Sequence, residues 1–328
     1  MVRAAISSIL ILFFTGTQDK FIGSIERLDV ELNSIVVESA KIEIISDGYE
    51  WAEGPLWLES SQALLFTDVP TNSVYKWKEG EGVSLYLKPS GYTDRAARGG
   101  ETGANGLTLD NNGKLILCQH GNRQIARMES DLLHPRPVYK SVAANYQGKR
   151  FNSPNDVVVN SKGEVFFTDP PYGLEKGMTD PAKELQFQGV FKVTKGGKVI
   201  LLTDTLTRPN GIAFMPGEKS LLVANSDPAR ACWYAFDFNE SGELIHPRIF
   251  YNATEAAKTE NGSPDGLKVD TKGNVFATGP GGVWIFNKNG KLLGKIKVPV
   301  STSNCALTAD ERTLFITADM YLLRVKLR

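Results

Sequence analysis

Apolar and polar positions along this chain follow one cadence that returns six times. Each copy has a polar residue, a short apolar run, a glycine-containing turn and a second apolar run. The copies begin at Glu53-Gly-Pro-Leu-Trp57, Asn105-Gly-Leu-Thr-Leu109, Asn155-Asp-Val-Val-Val159, Asn210-Gly-Ile-Ala-Phe214, Asp265-Gly-Leu-Lys-Val269 and Asn304-Cys-Ala-Leu-Thr308. Runs this short, broken by Asn112-Gly113, Lys162-Gly163, Pro216-Gly217 and Lys272-Gly273, predict strands joined by tight turns. Second strands are expected at 64–66, 115–117, 165–167, 221–223, 275–276 and 314–316. Third strands are expected at 73–77, 189–193 and 282–286. The starting residues are 52, 50, 55, 55 and 39 positions apart, a period that marks a β-propeller. No alternation of strands with helices is present. The pattern therefore predicts an all-β, six-bladed propeller over residues 34–328. Only 24 residues follow Asn304, too few for four strands. The apolar stretch 34–46 would supply the missing outer strand and close the ring without a free edge.

The first residues carry a different pattern. A basic start at Arg3, an apolar run over 4–14 and small residues at 15–17 read as a cleavable export signal over 1–17. Residues 18–33 would then be an N-terminal extension, and the mature chain periplasmic or secreted. The apolar run is too short to span a bilayer, and nothing after residue 20 resembles a span. With 37 basic and 37 acidic residues and no basic cluster, a nucleic-acid partner is excluded. Cys118, Cys232 and Cys305 lie among apolar neighbours, which favours buried thiols over one disulfide plus a free thiol. Oligomeric state leaves no mark in the pattern.

The chemistry gathers where the repeats begin. The innermost strand of each propeller blade lines the central channel, so the six starting residues should converge at one mouth. They are Glu53, Asn105, Asn155, Asn210, Asp265 and Asn304, all carboxylates or carboxamides. Such oxygen donors suit one hard divalent cation in the channel, with calcium favoured and zinc, magnesium and manganese as alternatives. Turn capping is the competing account, since Gly follows Glu53, Asn105, Asn210 and Asp265. It does not cover Asn155, nor the choice of Glu at 53.

These segments resemble the senescence-marker-protein/gluconolactonase/luciferin-regenerating-enzyme family, most nearly its exported gluconolactonases. The carriers are Glu53-Gly-Pro-Leu-Trp57, Gly103-Ala-Asn-Gly-Leu-Thr-Leu-Asp110, Cys118-Gln-His-Gly-Asn122, Ser153-Pro-Asn-Asp156, Phe167-Thr-Asp-Pro-Pro-Tyr-Gly173, Arg208-Pro-Asn-Gly211 and Ser263-Pro-Asp-Gly266. The resemblance implies a metal site at Glu53, Asn155, Asn210 and Asp265, and a substrate contact at Asn105. Asn304 is left as a further candidate around that site. Some animal members carry Arg where this chain has Gly103, so sugar recognition is expected to use Arg98 or Glu101 instead. Both belong to the polar loop 91–104, which is long enough to form a lid.

The implied reaction is hydrolysis of a sugar lactone, such as an aldono-1,5-lactone, to the open acid. The cation would polarise the carbonyl, and Asp265 would position or deprotonate the water. His120 and Asp169 end second strands near the same mouth and are candidates for substrate contact or proton transfer. For Asp169 a rigid turn before Pro170-Pro171 is a sufficient alternative. No Gly-x-Ser-x-Gly elbow or phosphate-binding glycine loop occurs. The alternatives are an organophosphate or other ester hydrolase on the same propeller, or a non-catalytic propeller binding partners on its rim.

Overall fold

The computed structural model describes residues 20–328, so the expected export signal over 1–17 lies outside the described residues. Six antiparallel sheets surround a central channel. Their innermost strands are Ala52–Leu58, Ala104–Leu109, Val157–Val159, Pro209–Phe214, Leu267–Val269 and Asn304–Leu307. Each neighbours the next around the ring, and the last neighbours the first. Blades one to four are each a four-stranded meander of consecutive strands.

Closure occurs in blade six. Ile42–Asp47 pairs antiparallel with Tyr321–Lys326, as the outermost strand beyond Thr313–Ala318 and Asn304–Leu307. The apolar stretch 34–46 thus supplies the expected strand, shifted toward its end, while Val36 bridges Leu327. Blade five has a feature the pattern did not reveal. Ser24–Arg27 pairs with Leu292–Lys297 as a fifth strand. This segment is only four residues long with a single apolar residue, Ile25, so it carries no alternation to read. It is followed by a one-turn helix, Val30–Ser34, whose first turn is capped by Asp29 accepting from the Glu31 amide at 2.9 Å. Leu32 from that turn is fully buried between blades five and six. Two elements of the N-terminal region therefore tie the last two blades together.

Hydrophobic side chains pack between adjacent blades. Blades six and one share Phe66, Trp77 and Phe315, and Trp57 stacks on Phe315 with ring centroids 5.6 Å apart. Blades four and five share Trp233, Trp284 and Phe286. Packing of this kind makes each blade depend on its neighbours, so the ring resists local loss of one blade. All three cysteines are buried free thiols. Burial pushes the Cys118 thiol well up and that of Cys305 to about 12, so neither is a nucleophile.

Stability should therefore depend on the N-terminal strands. A chain beginning at residue 48 is expected to melt at a lower temperature than one beginning at residue 20, and to associate through the bared edge of blade six. Equal melting curves and equal monomer elution would contradict this role.

Candidate active site in the central channel

The close approach of the inner strands explains why glycine follows the ring residues. A Cβ at Gly211 would lie 2.2 Å from the Asp265 carbonyl oxygen, and one at Gly266 would lie 1.9 Å from the Asn304 side chain. Gly54 and Gly106 meet the next blade in the same way. After Glu53, Asn105, Asn210 and Asp265 the next residue must be bare so that consecutive blades can touch. Turn capping is not the cause.

Second strands stitch the ring. Thr67, Thr168 and Thr278 hold equivalent places and each donates its hydroxyl to a backbone oxygen of the next blade. The acceptors are Asn105 at 3.2 Å, Asn210 at 2.6 Å and Ser303 at 2.8 Å. The following residue then clamps the segment that leads into the first strand. Asp68 accepts from the Trp51 amide at 3.0 Å, and Asn225 from the Arg208 amide at 2.7 Å. Asp169 accepts from the Asn152 and Ser153 amides, both at 2.8 Å. Burial lifts the Asp169 carboxyl to about 7 against those bonds. Asp169 is fully buried and lies off the cavity wall, so it positions the segment carrying Asn155.

At the channel mouth is a cavity of about 300 Å³, a volume that admits a monosaccharide-sized ligand. Its wall includes Glu53, Glu101, Asn105, Asn155, Asn210 and Asp265. Five candidates from five blades, three in first strands and two in the segments leading into them, are thus brought together with loop residue Glu101. Asn105 Oδ1, Asn155 Oδ1, Asn210 Oδ1 and Asp265 Oδ1 are all buried without a hydrogen-bond donor. For Asn210 the reason is visible: its Nδ2 donates to Ser226 Oγ at 2.8 Å, which turns Oδ1 away. Ser226 in turn donates to the Pro264 carbonyl at 2.6 Å, just before Asp265.

Glu53 is held from two sides. Its Oε2 accepts from the Gly54 amide and from Asn304 Nδ2 at 3.1 Å. Asn304 Oδ1 is already taken by the Cys305 amide at 2.9 Å and Lys268 Nζ at 3.1 Å. Asn304 therefore has no oxygen to offer the cavity and is absent from its wall. It orients Glu53.

Electrostatics single out the two carboxylates. Burial, then repulsion from Asp156, pushes the Glu53 carboxyl up to about 8, against the bond from Gly54. Burial, then repulsion from Glu53, Asp156 and Glu101, pushes Asp265 well above the carboxylate range. Lys268, the nearby cation, is engaged by Asn304 and by the Leu267 carbonyl at 3.1 Å. A buried carboxylate without a partner costs several kcal/mol, so this pair calls for protons or a cation. Three donor-free amide oxygens beside the carboxylates of Glu53 and Asp265, an all-oxygen set, fit a hard divalent ion. Among the described residues there is no cluster of three or more His, Cys, Asp or Glu side chains, so amide oxygens must complete any such set.

The remaining candidates are spread. His120 is fully buried beside the cavity, its Nδ1 2.9 Å from Glu101 Oε2, and it does not line the wall. Arg98 faces a neighbouring cavity and donates to the Gly121 carbonyl at 2.7 Å and to the Gly173 carbonyl. It staples the 91–104 loop rather than reaching the wall. Four residues outside the candidate set matter here: Asp156, Tyr172, Arg208 and Ser226. Tyr172, Arg208 and Ser226 line the cavity, while Asp156 is buried where other blades have the bare glycine. Ser226 directly follows the end of a second strand, the same signal that marked His120 and Asp169.

The comparisons place the propeller in a family. Residues 51–319 match the family model described as SMP-30/Gluconolactonase/LRE-like region. A gluconolactonase of Zymomonas mobilis is 37% identical over 311 residues, covering 93% of this chain and 86% of that protein. The solved structure of a Xanthomonas campestris gluconolactonase has a TM-score of 0.80 at 28% identity, covering 96% of this chain and 99% of that one. A calcium-binding regucalcin structure from Agrobacterium tumefaciens has a TM-score of 0.66, covering 87% and 93%, and its 14% identity shows the fold alone. With ring oxygens from five of six blades facing one cavity and a family match over residues 51–319, the chain belongs to the SMP-30/gluconolactonase/LRE-like family.

Proposed function

We propose that this chain hydrolyses a sugar lactone with one divalent cation, calcium in the first instance, held by Glu53, Asn155, Asn210 and Asp265. That the chain is a lactone-hydrolysing carboxylic ester hydrolase follows from its family and its gluconolactonase relatives. The observation that carries the cation is the set of donor-free buried oxygens converging beside two carboxylates that lack a cationic partner. When bound, a cation supplies Lewis acidity toward the lactone carbonyl and neutralises charge that develops on its oxygen.

The residues of the chain divide the other tasks. Asn105 Oδ1, with no donor inside the protein, accepts from a sugar hydroxyl. Arg208 and Tyr172 on the wall offer donors to ring and hydroxyl oxygens. Of the two residues expected to recognise sugar, Glu101, 2.9 Å from His120 Nδ1, lies on the wall and binds hydroxyls on the loop side. Asp265 takes a proton from the attacking water as its oxygen bonds to the carbonyl carbon. The ring C–O bond then breaks, and the proton passes from Asp265 to the departing oxygen, giving the hydroxy acid. Sugar lactones are activated esters, so a carboxylate base suffices.

Substitution tests the assignment. Glu53→Gln and Asp265→Asn should each lower glucono-1,5-lactone hydrolysis by at least about 100-fold while leaving the melting transition cooperative. Activity within about threefold of the parent in either variant would overturn the metal and base roles.

A second test follows from proton linkage. In the cation-free chain, Glu53 at about 8 binds its proton more tightly folded than unfolded. Its contribution is complete below the unfolded value and is lost as pH rises through the folded one. The melting temperature of the cation-free chain should therefore fall between about pH 5 and about pH 8, and saturating Ca²⁺ should abolish that fall. An identical pH slope with and without Ca²⁺ would contradict the proposed site.

A further inference from the structure

We propose that a second cavity, beside the active-site loop, is an anion-binding site that takes a phosphoryl group. The cavity is about 360 Å³ and is lined by Arg98, Arg123, Arg150, Tyr92, Asn122 and Leu174, with Gly121 and Ala182 at its base. Three guanidinium groups thus face one enclosed space. Their recorded hydrogen bonds go to neutral carbonyls. Arg98 donates to Gly99, Gly121 and Gly173, and Arg150 donates to the Asn122 carbonyl at 3.0 Å. Arg123 donates through Nε to the Phe151 carbonyl at 2.6 Å and through Nη1 to that of Ala182 at 2.9 Å.

The decisive atom is Arg123 Nη2. Arg123 is 3% exposed, and Nη2 is buried with no hydrogen-bond partner. A buried guanidinium nitrogen left empty is costly. Burial first, then the charges of Arg150 and Arg98, lower the Arg123 pKa against the pull of Glu184 and Asp169.

The carboxylates nearby do not fill the gap. Glu184 Oε1 forms an ion pair with Arg123 Nη1 at 3.8 Å, too long for a hydrogen bond, and leaves Nη2 without a partner. Asp94, Glu175 and Asp180 also line the cavity, yet none is within ion-pair distance of the three guanidiniums among the described residues. Asp180 is occupied by the Lys176 and Ala182 amides, and Asp94 by the Arg95 amide. A phosphoryl group fits what remains, because its oxygens diverge and can meet guanidinium edges from several directions.

The position gives the site a consequence. Arg98 is the staple of the 91–104 loop, and three residues later Glu101 faces the lactone cavity. An anion between Arg98, Arg123 and Arg150 would fasten the loop to blades two and three. Occupancy would thus fix Glu101 in place.

Calorimetric titration of the full chain with inorganic phosphate tests this, at constant ionic strength and with neither lactone nor divalent cation present. Failure here is therefore separable from failure of the lactonase reading. Saturable binding at one site is expected, weakened about tenfold in Arg150→Gln and lost in Arg123→Lys. Arg150 is exposed, so its replacement keeps the test valid if Arg123→Lys does not fold. Arg248→Gln, which removes the same charge from blade four, should bind as the parent does. Phosphate should also slow amide exchange over 91–104. Absence of saturable binding, or equal binding by Arg150→Gln and Arg248→Gln, would overturn the proposal.

Discussion

Six inner strands meet around one channel, and at four of the contacts the distances forbid a side chain on one flank. The bare residues at Gly211 and Gly266 let Asp265 and Asn304 approach their neighbours. That approach forces the polar groups before them into a single ring. Six carboxylates and carboxamides on separate blades would repel or waste their hydrogen bonds if spread over a surface. In the ring they become a shared set of oxygens, and the threonine stitches between blades hold it at fixed size.

The ring is not uniform, and its unequal members explain the chemistry. Asn304 spends its oxygen inside the protein and turns its amide toward Glu53. Asn210 is the reverse case: Ser226 accepts from its amide and leaves its oxygen free. Asp156 replaces the bare residue in blade three and adds negative charge beneath the cavity. The result is a cavity at the channel mouth whose two carboxylates are destabilised by burial and by each other. That charge suits the proposed cation, and in the proposed reaction it supplies a base for water. Function here comes from an electrostatic debt that folding leaves open.

The blades were legible because each repeats its own signal. Short apolar runs with turns at a period near 50 identify the fold, and the polar starts at Glu53, Asn155, Asn210 and Asp265 identify the ring. Side-chain direction was not legible. Asn304 looks like the other ring members in sequence, and only its bonds to Cys305 and Lys268 show that it faces inward. Arg98 and His120 lie close to the mouth along the chain, yet one staples a loop and the other backs Glu101. The strand at Ser24–Arg27 escaped notice because an outer edge strand needs no apolar face. Arg208 and Tyr172 belong to segments already singled out, but their reach into the cavity depends on loop shapes that periodicity does not encode.

The most direct measurement is lactone hydrolysis by chelator-stripped protein, with the initial rate followed as Ca²⁺ or Zn²⁺ is titrated back. The account predicts negligible rate above the spontaneous background without a cation, and saturable recovery with Ca²⁺. Full activity in the stripped protein, with no cation bound, would contradict it.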